Sequence, residues 1–538
     1  MNNVLTLFND FRKEHLSRCQ YLIPVFMFSI MAYGFSIFNR TVSIDDLLYS
    51  YYISENFSIA GMRWGNYLLS FLFSTKEYSP FVGKYVSWLA LVLAGIMVSF
   101  LFFCIGRCKK TVCYTIASCM FITYPLVIEL WEYSYLGVSV STSLGIISLL
   151  IIYCNINNPK EIKDHISSFL LSSIIMVFVF SLYESAIFIY ITLVFVIIYF
   201  KLIKREFNKI KDWLFYGCMF TLPLFFAFIF KYLIGFVLVK VTGTTVSAFG
   251  DTKVYWASNS LYELFHSLAV GSVIKYFIRG LTYFPISEFV IFLFVFMFII
   301  SRDSIKTSFS CLIIGSMLIA SLFFLSLLKG KTLPYRHAQT IELFISFVPY
   351  LALYETEGNY IQKKKAYSFE ILAVLFLFFC TRQGVYTSEL ICLNNQRSDN
   401  EAMVIQNIGY RLYTEFDSSK KVVFCGNYHL GRFIESQIFV PSDNLEFLIR
   451  DLDDESKEKF VETNVNSCIN WAMEAYNNQK TIEIYLSYYG YDVDVNEDFF
   501  DINTNIEYET IAERNGMKPL DIKDMGNYIL VYFGEIGY

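Results

Sequence analysis

The sequence predicts a polytopic α-helical membrane protein with about eleven transmembrane helices, followed by a soluble C-terminal α/β domain. Of the 538 residues, 55% are hydrophobic and only 17% are charged, against about 25% charged in an average soluble domain. The shortage of charge is confined to residues 1–384, which consist of long apolar runs, while residues 385–538 have an ordinary soluble composition. We therefore divide the chain into a transmembrane domain, 1–384, and an extramembrane domain, 385–538.

The transmembrane helices are predicted from apolar runs, because a helix needs about 20 apolar residues to cross the hydrocarbon core. The first run, from Tyr21, follows a polar stretch and has no small-residue cleavage site, so we interpret it as an anchor and not a signal peptide. Residues 234–285 are only partly apolar, and their Lys275 and Arg279, four residues apart, are compatible with an amphipathic helix along the membrane interface. The predicted spans are 21–38, 84–104, 112–128, 136–153, 167–183, 186–201, 213–233, 286–301, 308–328, 338–354 and 368–384.

The loops between the spans predict the orientation of the chain. Loops on one side, among them FRKEHLSR, GRCKK and KLIKREFNKIKDW, are rich in Lys and Arg, whereas the turns at 129–135 and 183–185 contain neither. Because cytoplasmic loops carry the excess of Lys and Arg, the N-terminus is predicted to be cytoplasmic. An odd number of spans then places the C-terminal domain on the outer face.

Several function classes are disfavoured by the composition and by missing motifs. The net charge of −5 argues against a nucleic-acid partner. The chain has no G-x-x-x-x-G-K-[ST] or G-x-G-x-x-G signature for nucleotides, and no H-E-x-x-H or paired cysteines for zinc. The energy for any reaction is therefore expected to come from an already activated substrate or from a gradient.

The first outer loop, 39–83, carries two adjacent acids, Asp45 and Asp46, directly after the first span. A carboxylate beside a low-dielectric boundary has a raised proton affinity, which suits a general base. Asp46 fits equally well as the N-cap of a short helix that begins LLYSYY. Downstream, in GMRWGNYLL, Arg63 is suited to hold a lipid phosphate through paired hydrogen bonds, while Trp64 is typical of interfacial anchoring.

Two further outer turns carry acids. In VIELWEYSYLG, Glu129 and Glu132 lie three residues apart at the mouth of two spans, so they would share a face if the segment were helical. In SLYESA, Glu184 occupies a very tight connection, where simple solvation is the alternative. Acids near the membrane plane are costly and often functional.

A third outer turn, LLKGKTLPYRHAQT, is basic, with Lys329, Lys331, Arg336 and His337 around a proline. Positive charge on the outer side runs against the orientation rule. A cation cluster at headgroup depth is what a polyprenyl phosphate or pyrophosphate site needs. A basic interfacial loop that touches ordinary anionic lipid explains the pattern equally well.

The C-terminal domain alternates between helical and strand patterns. Residues 396–416 have helical periodicity through Met403, Ile405, Ile408 and Leu412, and KVVFCG at 421–426 predicts a strand. The runs TIEIYLSYYG and GNYILVYFG are also strand-like. This alternation indicates a small α/β domain. It contains no catalytic constellation, and from its placement we expect it to bind, orient or cover an acceptor.

Three segments together resemble the bacterial O-antigen glucosyltransferases of serotype conversion (Gtr type), which belong to the GT-C superfamily of membrane glycosyltransferases. They are TVSIDDLLYS after the first span, GMRWGNYLL downstream in the same loop, and LPYRHAQT before a late span. The soluble tail after the last span also fits. The most specific feature is the double acid followed, in one outer loop, by G-x-R-W.

The resemblance implies a GT-C-like fold and transfer of glucose from undecaprenyl phosphate glucose to a lipid-linked O-antigen sugar, on the periplasmic side of the inner membrane. It implies that Asp45 or Asp46 is the general base for the acceptor hydroxyl. A divalent cation is used by some GT-C enzymes and not by others, and an Asp pair is no reliable ligand set, so the metal requirement stays open. The implied phosphate ligands are Arg63, Lys331, Arg336 and His337, and the implied sugar and acceptor contacts are Trp64, Glu129, Trp131, Glu132, Tyr133 and Glu184.

Three alternatives are compatible with the same sequence. A GT-C transferase of another lipid-linked sugar would share the catalytic layout and differ only in its pocket. A lipid-linked oligosaccharide transporter usually shows internal repeats and polar residues at mid-span, whereas here the ionisable residues cluster at outer mouths. A polysaccharide polymerase usually has its large loop between spans, whereas here the large domain is C-terminal.

Overall fold

The computed structural model of the chain describes residues 2–39, 56–73, 80–124, 127–157, 162–204, 206, 210–246, 305–330, 340–361, 366–426, 479–495 and 502–534, with residues 260, 262 and 293. Most of these residues are helical. The helices are Asn2–Phe11 (α1), Cys19–Phe38 (α2), Asn56–Ala60 (α3), Trp64–Leu72 (α4), Pro80–Ile105 (α5), Thr111–Ile122 (α6), Val127–Asn157 (α7), Ile162–Leu182 (α8), Ala186–Ile203 (α9), Ile210–Thr242 (α10), Ile305–Ser321 (α11), Phe324–Lys329 (α12), Thr340–Ile361 (α13), Ala366–Glu415 (α14), Gln479–Tyr488 (α15) and Ile502–Arg514 (α16), with a π-helical turn at Arg12–Leu16.

The chain is a polytopic membrane protein. Within the part of the chain that the structure describes, seven helical segments are long and apolar enough to cross a membrane: Cys19–Phe38, Val82–Ile105, Gly137–Ile156, Lys163–Leu182, Ala186–Ile203, Phe215–Thr242 and Ser368–Glu389. Each overlaps a predicted span. Of the other four predicted spans, 286–301 lies almost wholly outside the described residues, and α6 and α11 have only 12 and 17 residues. The fourth, 338–354, lies mostly in the 22-residue helix α13, which is not one of the seven segments. The predicted count of eleven therefore stays a prediction.

One predicted turn is wrong. Residues 129–135, expected to connect two spans, are instead part of the 31-residue helix α7, which begins at Val127. The preceding helix ends early, at Ile122. The sequence reason is Pro125, which has no N–H to donate to a helix and disfavours helical geometry in the residue before it. The break between the two helices therefore precedes the acidic segment and does not contain it.

Helix α10 corrects a second boundary. The span predicted at 213–233 is the middle of a 33-residue helix that continues to Thr242. The first residues of the region interpreted as interfacial, 234–242, therefore prolong a spanning helix. Lys275 and Arg279, which suggested that interpretation, lie outside the described residues.

The described residues form two compact units. The first contains the described residues up to Phe38, from 56 to 73 and from 80 to Glu389, and the second contains Asn39 and the described residues from Leu390 onward. Helix α14 is continuous across this division.

One end of the helix bundle in the first unit gathers the basic segments. The Lys204 ammonium donates to the Ile105 carbonyl, and Lys201 forms an ion pair of 2.8 Å with Glu206. His15 is buried beside Thr111, with 3.1 Å between Nδ1 and the threonine hydroxyl. Burial, with a smaller effect of Arg18, lowers the pKa of His15 to about 4. This end therefore carries the segments that the sequence predicts to be cytoplasmic.

At the same end, Glu357 of α13 caps the start of α6. Its carboxylate accepts hydrogen bonds from the backbone N–H groups of Lys109, at 3.0 and 3.1 Å, and of Lys110, at 2.8 Å. A carboxylate at a helix N-terminus is stabilised by the helix dipole. It also accepts hydrogen bonds from the first backbone N–H groups, which have no acceptor within the helix. The two residues that bond are almost 250 positions apart in the sequence.

Replacing Glu357 with alanine is expected to lower the free energy of unfolding by about 2–4 kcal/mol, since two N–H groups at a covered helix start lose a charged acceptor. The measurement is the thermal unfolding midpoint of the detergent-solubilised protein. Glu370, exposed on α14, supplies the matched control, and Glu370→Ala should change stability by less than about 0.5 kcal/mol. Equal midpoints for the wild type and Glu357→Ala would contradict the capping role.

The second unit contains a three-stranded sheet with helices on both faces. The strands are Lys421–Cys425 (β1), Asp521–Asp524 (β2) and Tyr528–Tyr532 (β3), in the order β1-β3-β2. β3 pairs in parallel with β1 and antiparallel with β2. Residues of α14 and α15 pack on one face of the sheet, and residues of α16 pack on the other.

Two predictions for this unit need correction. TIEIYLSYYG, expected as a strand, forms helix α15, since its buried Ile482, Tyr485 and Leu486 also fit helical spacing. Met403 is 62% exposed, because it lies off the stripe formed by Ile405, Ile408 and Leu412, which are buried as predicted. The strands predicted in KVVFCG and GNYILVYFG are confirmed.

Candidate functional site

A short loop between α3 and α4 places Arg63 at the start of a helix. The Arg63 N–H donates to the Ser58 carbonyl at 2.7 Å, and its carbonyl accepts the N–H of Asn66 at 2.9 Å. Met62, just before it, has a φ of 57°, in the left-handed backbone region that residues other than glycine rarely adopt. The backbone of this loop thus makes a sharp turn that does not depend on the Arg63 side chain.

Hydrogen bonds hold this loop against two spanning helices. The Trp64 indole N–H donates to the Lys231 carbonyl of α10 at 3.3 Å, and the Asn66 amide donates to the Leu182 carbonyl at the end of α8 at 3.0 Å. Trp64 also packs against Phe178, with ring centroids 6.3 Å apart. The indole is therefore engaged with the protein on both its polar and its apolar sides.

Two glycines allow the close approach. A Cβ at Gly65 would collide with Ser181, and a Cβ at Gly235 of α10 would lie 2.5 Å from the Met62 sulfur. Met62 belongs to a small apolar cluster with Ile59 and Val239. The loop is thus seated on the bundle by packing as well as by hydrogen bonds.

This seating places Arg63 against Tyr183, the residue before the ion-paired Glu184, and we call Arg63, Glu184 and Lys231 the charged cluster. The Arg63 guanidinium carbon lies 5.5 Å from the centroid of the Tyr183 ring, next to Glu184 in the turn after α8. Glu184 Oε1 accepts from Lys231 Nζ in an ion pair. The cluster holds two cations and one anion, and the anion is paired with Lys231.

The structure describes the positions of only some of the predicted site residues. Arg63, Trp64 and Glu184 lie at one end of the bundle. Residues 129–133 lie in the first two turns of α7, which passes Asn66 at Gly137. Tyr133 precedes Gly137 by about 6 Å along the helix axis, so the backbone of the acidic segment is at the same end. Of Glu129, Trp131, Glu132 and Tyr133 only the backbone is described, and Asp45, Asp46, Lys331, Arg336 and His337 lie outside the described residues.

Lys231 and Asn66 were not predicted as site residues. Lys231 is the only charged residue between Asp212 and Lys240. An ionisable residue alone in a spanning helix is usually paired or functional, so its isolation was a readable signal. Asn66 gave no such signal, because its partner is a backbone carbonyl 116 positions away.

Among the residues with described positions, no group of three or more His, Cys, Asp or Glu side chains could hold a metal ion. In the charged cluster the single carboxylate is paired with Lys231, and Arg63 is a cation of the type that binds phosphate groups. Its chemistry therefore fits a phosphate or another anionic group.

Comparison with known families decides the class. The family model described as "Glucosyl transferase GtrII" matches residues 34–353, more than half of the chain. The protein belongs to the GtrII glucosyl transferase family. No curated protein and no solved structure matches the chain. The resemblance to Gtr-type glucosyltransferases is thus confirmed.

The GtrII match covers the whole charged cluster. It includes the double acid at 45 and 46, the cluster residues and the basic turn at 331–337, and it ends within α13. The described residues from Leu390 onward lie beyond the matched residues. A membrane-embedded glycosyltransferase with a sugar donor and an acceptor follows from the family.

Proposed function

We propose that this GtrII protein transfers glucose from undecaprenyl phosphate glucose to a lipid-linked O-antigen sugar on the periplasmic side of the inner membrane. The observation that carries the proposal is the charged cluster within a glucosyl transferase family match.

The charge of the cluster suits the donor. A lipid phosphate sugar is a phosphodiester with one negative charge, and the cluster contains a guanidinium, Arg63, in addition to the Lys231–Glu184 ion pair. When the glucosyl group leaves, the phosphate becomes a monoester and gains negative charge. A guanidinium that is already in place stabilises such developing charge most effectively. Arg63 is the cation that the proposal assigns to this task.

The position of the cluster supports the periplasmic side. Helix α9 begins at Ala186, directly after the Glu184 turn, and ends at Ile203, beside the basic Lys201 and Lys204. Its 18 residues span about 27 Å, close to the roughly 30 Å of a hydrocarbon core. The cluster and the basic residues are therefore at opposite ends of a helix long enough to span the membrane, and the positive-inside rule favours a cytoplasmic basic end.

The chemistry requires a base for the acceptor. In the proposed reaction, Asp45 or Asp46 takes the proton of an acceptor hydroxyl as its oxygen attacks the anomeric carbon. The bond from that carbon to the phosphate oxygen breaks, and undecaprenyl phosphate leaves with the bonding electrons. The basic turn with Lys331, Arg336 and His337 is proposed to share the phosphate charge. The domain at 385–538 is proposed to be periplasmic and to bind the acceptor.

A transfer assay tests the proposal. Membranes that contain the protein receive undecaprenyl phosphate [14C]glucose and lipid-linked O-antigen, and the product sugar is analysed after hydrolysis. Labelled glucose on the O-antigen is expected, and membranes without the protein serve as the blank. Transfer from a different polyprenyl phosphate sugar, with none from the glucose donor, would overturn the donor assignment and leave the transferase class intact.

A further inference from the structure

Lys231 is a buried cation in a spanning helix. Its side chain is 1% exposed, and it lies beside Tyr232, with Nζ 4.6 Å from the ring centroid. Removing a lysine ammonium from water is costly unless a partner compensates for the lost hydration. The partner is Glu184, and the pair joins α10 to the turn between α8 and α9.

Glu184 is much more open than its partner, with a side chain that is 48% exposed. Lys231 engages Oε1, and Oε2 accepts no hydrogen bond from the residues that the structure describes. A carboxylate tied at one oxygen has lost most of its rotational freedom, while its second oxygen can still accept. Such a group is preorganised to bind a hydroxyl.

The arrangement separates the tasks of the two cations. Lys231 is covered and already paired, so a substrate phosphate does not reach it without breaking the pair. Arg63 lies over the Tyr183 ring and has a half-buried side chain. A carboxylate repels a phosphate but accepts hydrogen bonds from sugar hydroxyls. Glu184 therefore suits a sugar ring, and Arg63 suits a phosphate.

We propose that Lys231 is a positioning residue that fixes Glu184 to accept hydrogen bonds from hydroxyl groups of the donor sugar, next to the phosphate held by Arg63. The proposal rests on the transferase function proposed above and adds the group that recognises the donor sugar. Lys231 acts through Glu184 and does not touch the substrate.

The test compares donor kinetics of Lys231→Met, Lys231→Arg, Glu184→Gln and the double variant Lys231→Met/Glu184→Gln in membranes. Loss of a hydrogen bond to a charged acceptor is expected to raise the donor KM about 10- to 100-fold in Glu184→Gln. Lys231→Met should show a similar rise, and the double variant should be no worse than the more affected single variant, because both remove one interaction. Lys231→Arg should recover most of the affinity. Lys240→Met, exposed on the same helix, is the matched control.

A second readout separates positioning from folding. Donors that lack single hydroxyl groups should bind less well to the wild type, and this discrimination should be lost for one hydroxyl in both Glu184→Gln and Lys231→Met. Unchanged donor KM and unchanged discrimination in these variants, with lower protein yield only, would show a structural ion pair and overturn the proposal. If the wild type uses a different lipid-linked sugar, the same comparison is made with that donor, so the two proposals fail independently.

Discussion

Exchanging Asp45 or Asp46 for asparagine should reduce glucose transfer by about 10²- to 10⁴-fold, the range that a general base contributes. The substitution keeps the size and the capping ability of the side chain. If the residue only capped a helix, the variant would therefore lose little activity. The measurement is the initial rate of the transfer assay, normalised to the amount of protein in the membrane.

The two single variants also identify the base. A large loss in one of them and a small loss in the other assigns the base to the first. Glu55→Gln, in the same predicted outer loop, is the control for removal of a nearby acid and should keep its rate within about threefold. Full activity of both Asp45→Asn and Asp46→Asn would refute the catalytic assignment.

Arg63→Gln is expected to lower kcat about 10²- to 10³-fold. This is the effect of removing one preorganised hydrogen-bond donor to a charge that develops in the transition state. The loop should keep its fold, because the bonds that shape it use the Arg63 backbone. Arg63→Lys keeps the charge but loses the paired geometry of the guanidinium, so its kcat should lie between those of the wild type and Arg63→Gln.

The control for Arg63 is Arg107→Gln at the opposite end of the bundle. Arg107 also lies over an aromatic ring, 5.2 Å from the centroid of Phe103, but it is distant from the charged cluster. Its replacement should leave kcat unchanged within about twofold. Equal losses in the two variants would indicate a general effect of losing an arginine and would argue against a phosphate site at Arg63.

The sequence predicts the membrane class well because burial in lipid demands long apolar runs, and such runs are local. The helix ends are harder. The break after Ile122 depends on one residue, Pro125, and a hydropathy average over a whole span does not show the effect of a single proline. Residues 479–488 fit both strand and helix spacing, and packing of their buried side chains against the sheet decides for the helix.

The candidate site is only partly readable for a related reason. Glu184 stands out as the single charged residue of a short turn, but the contact of Arg63 with the neighbouring Tyr183 follows from the packing of α4 on α8 and α10. Lys231 lies 47 positions from Glu184 and 167 from Trp64. No local pattern reports contacts of that range, so the ion pair and the seating of the loop required the folded structure.

The contact between Met62 and Gly235 has a consequence for how this protein can diverge. Because the sulfur of Met62 fills the volume that a side chain at 235 would occupy, neither position can grow alone without lifting the loop from α10. A larger residue at position 235 is tolerated only together with a smaller residue at position 62. Among natural variants of this chain, the two positions should therefore covary, although 173 positions of sequence separate them.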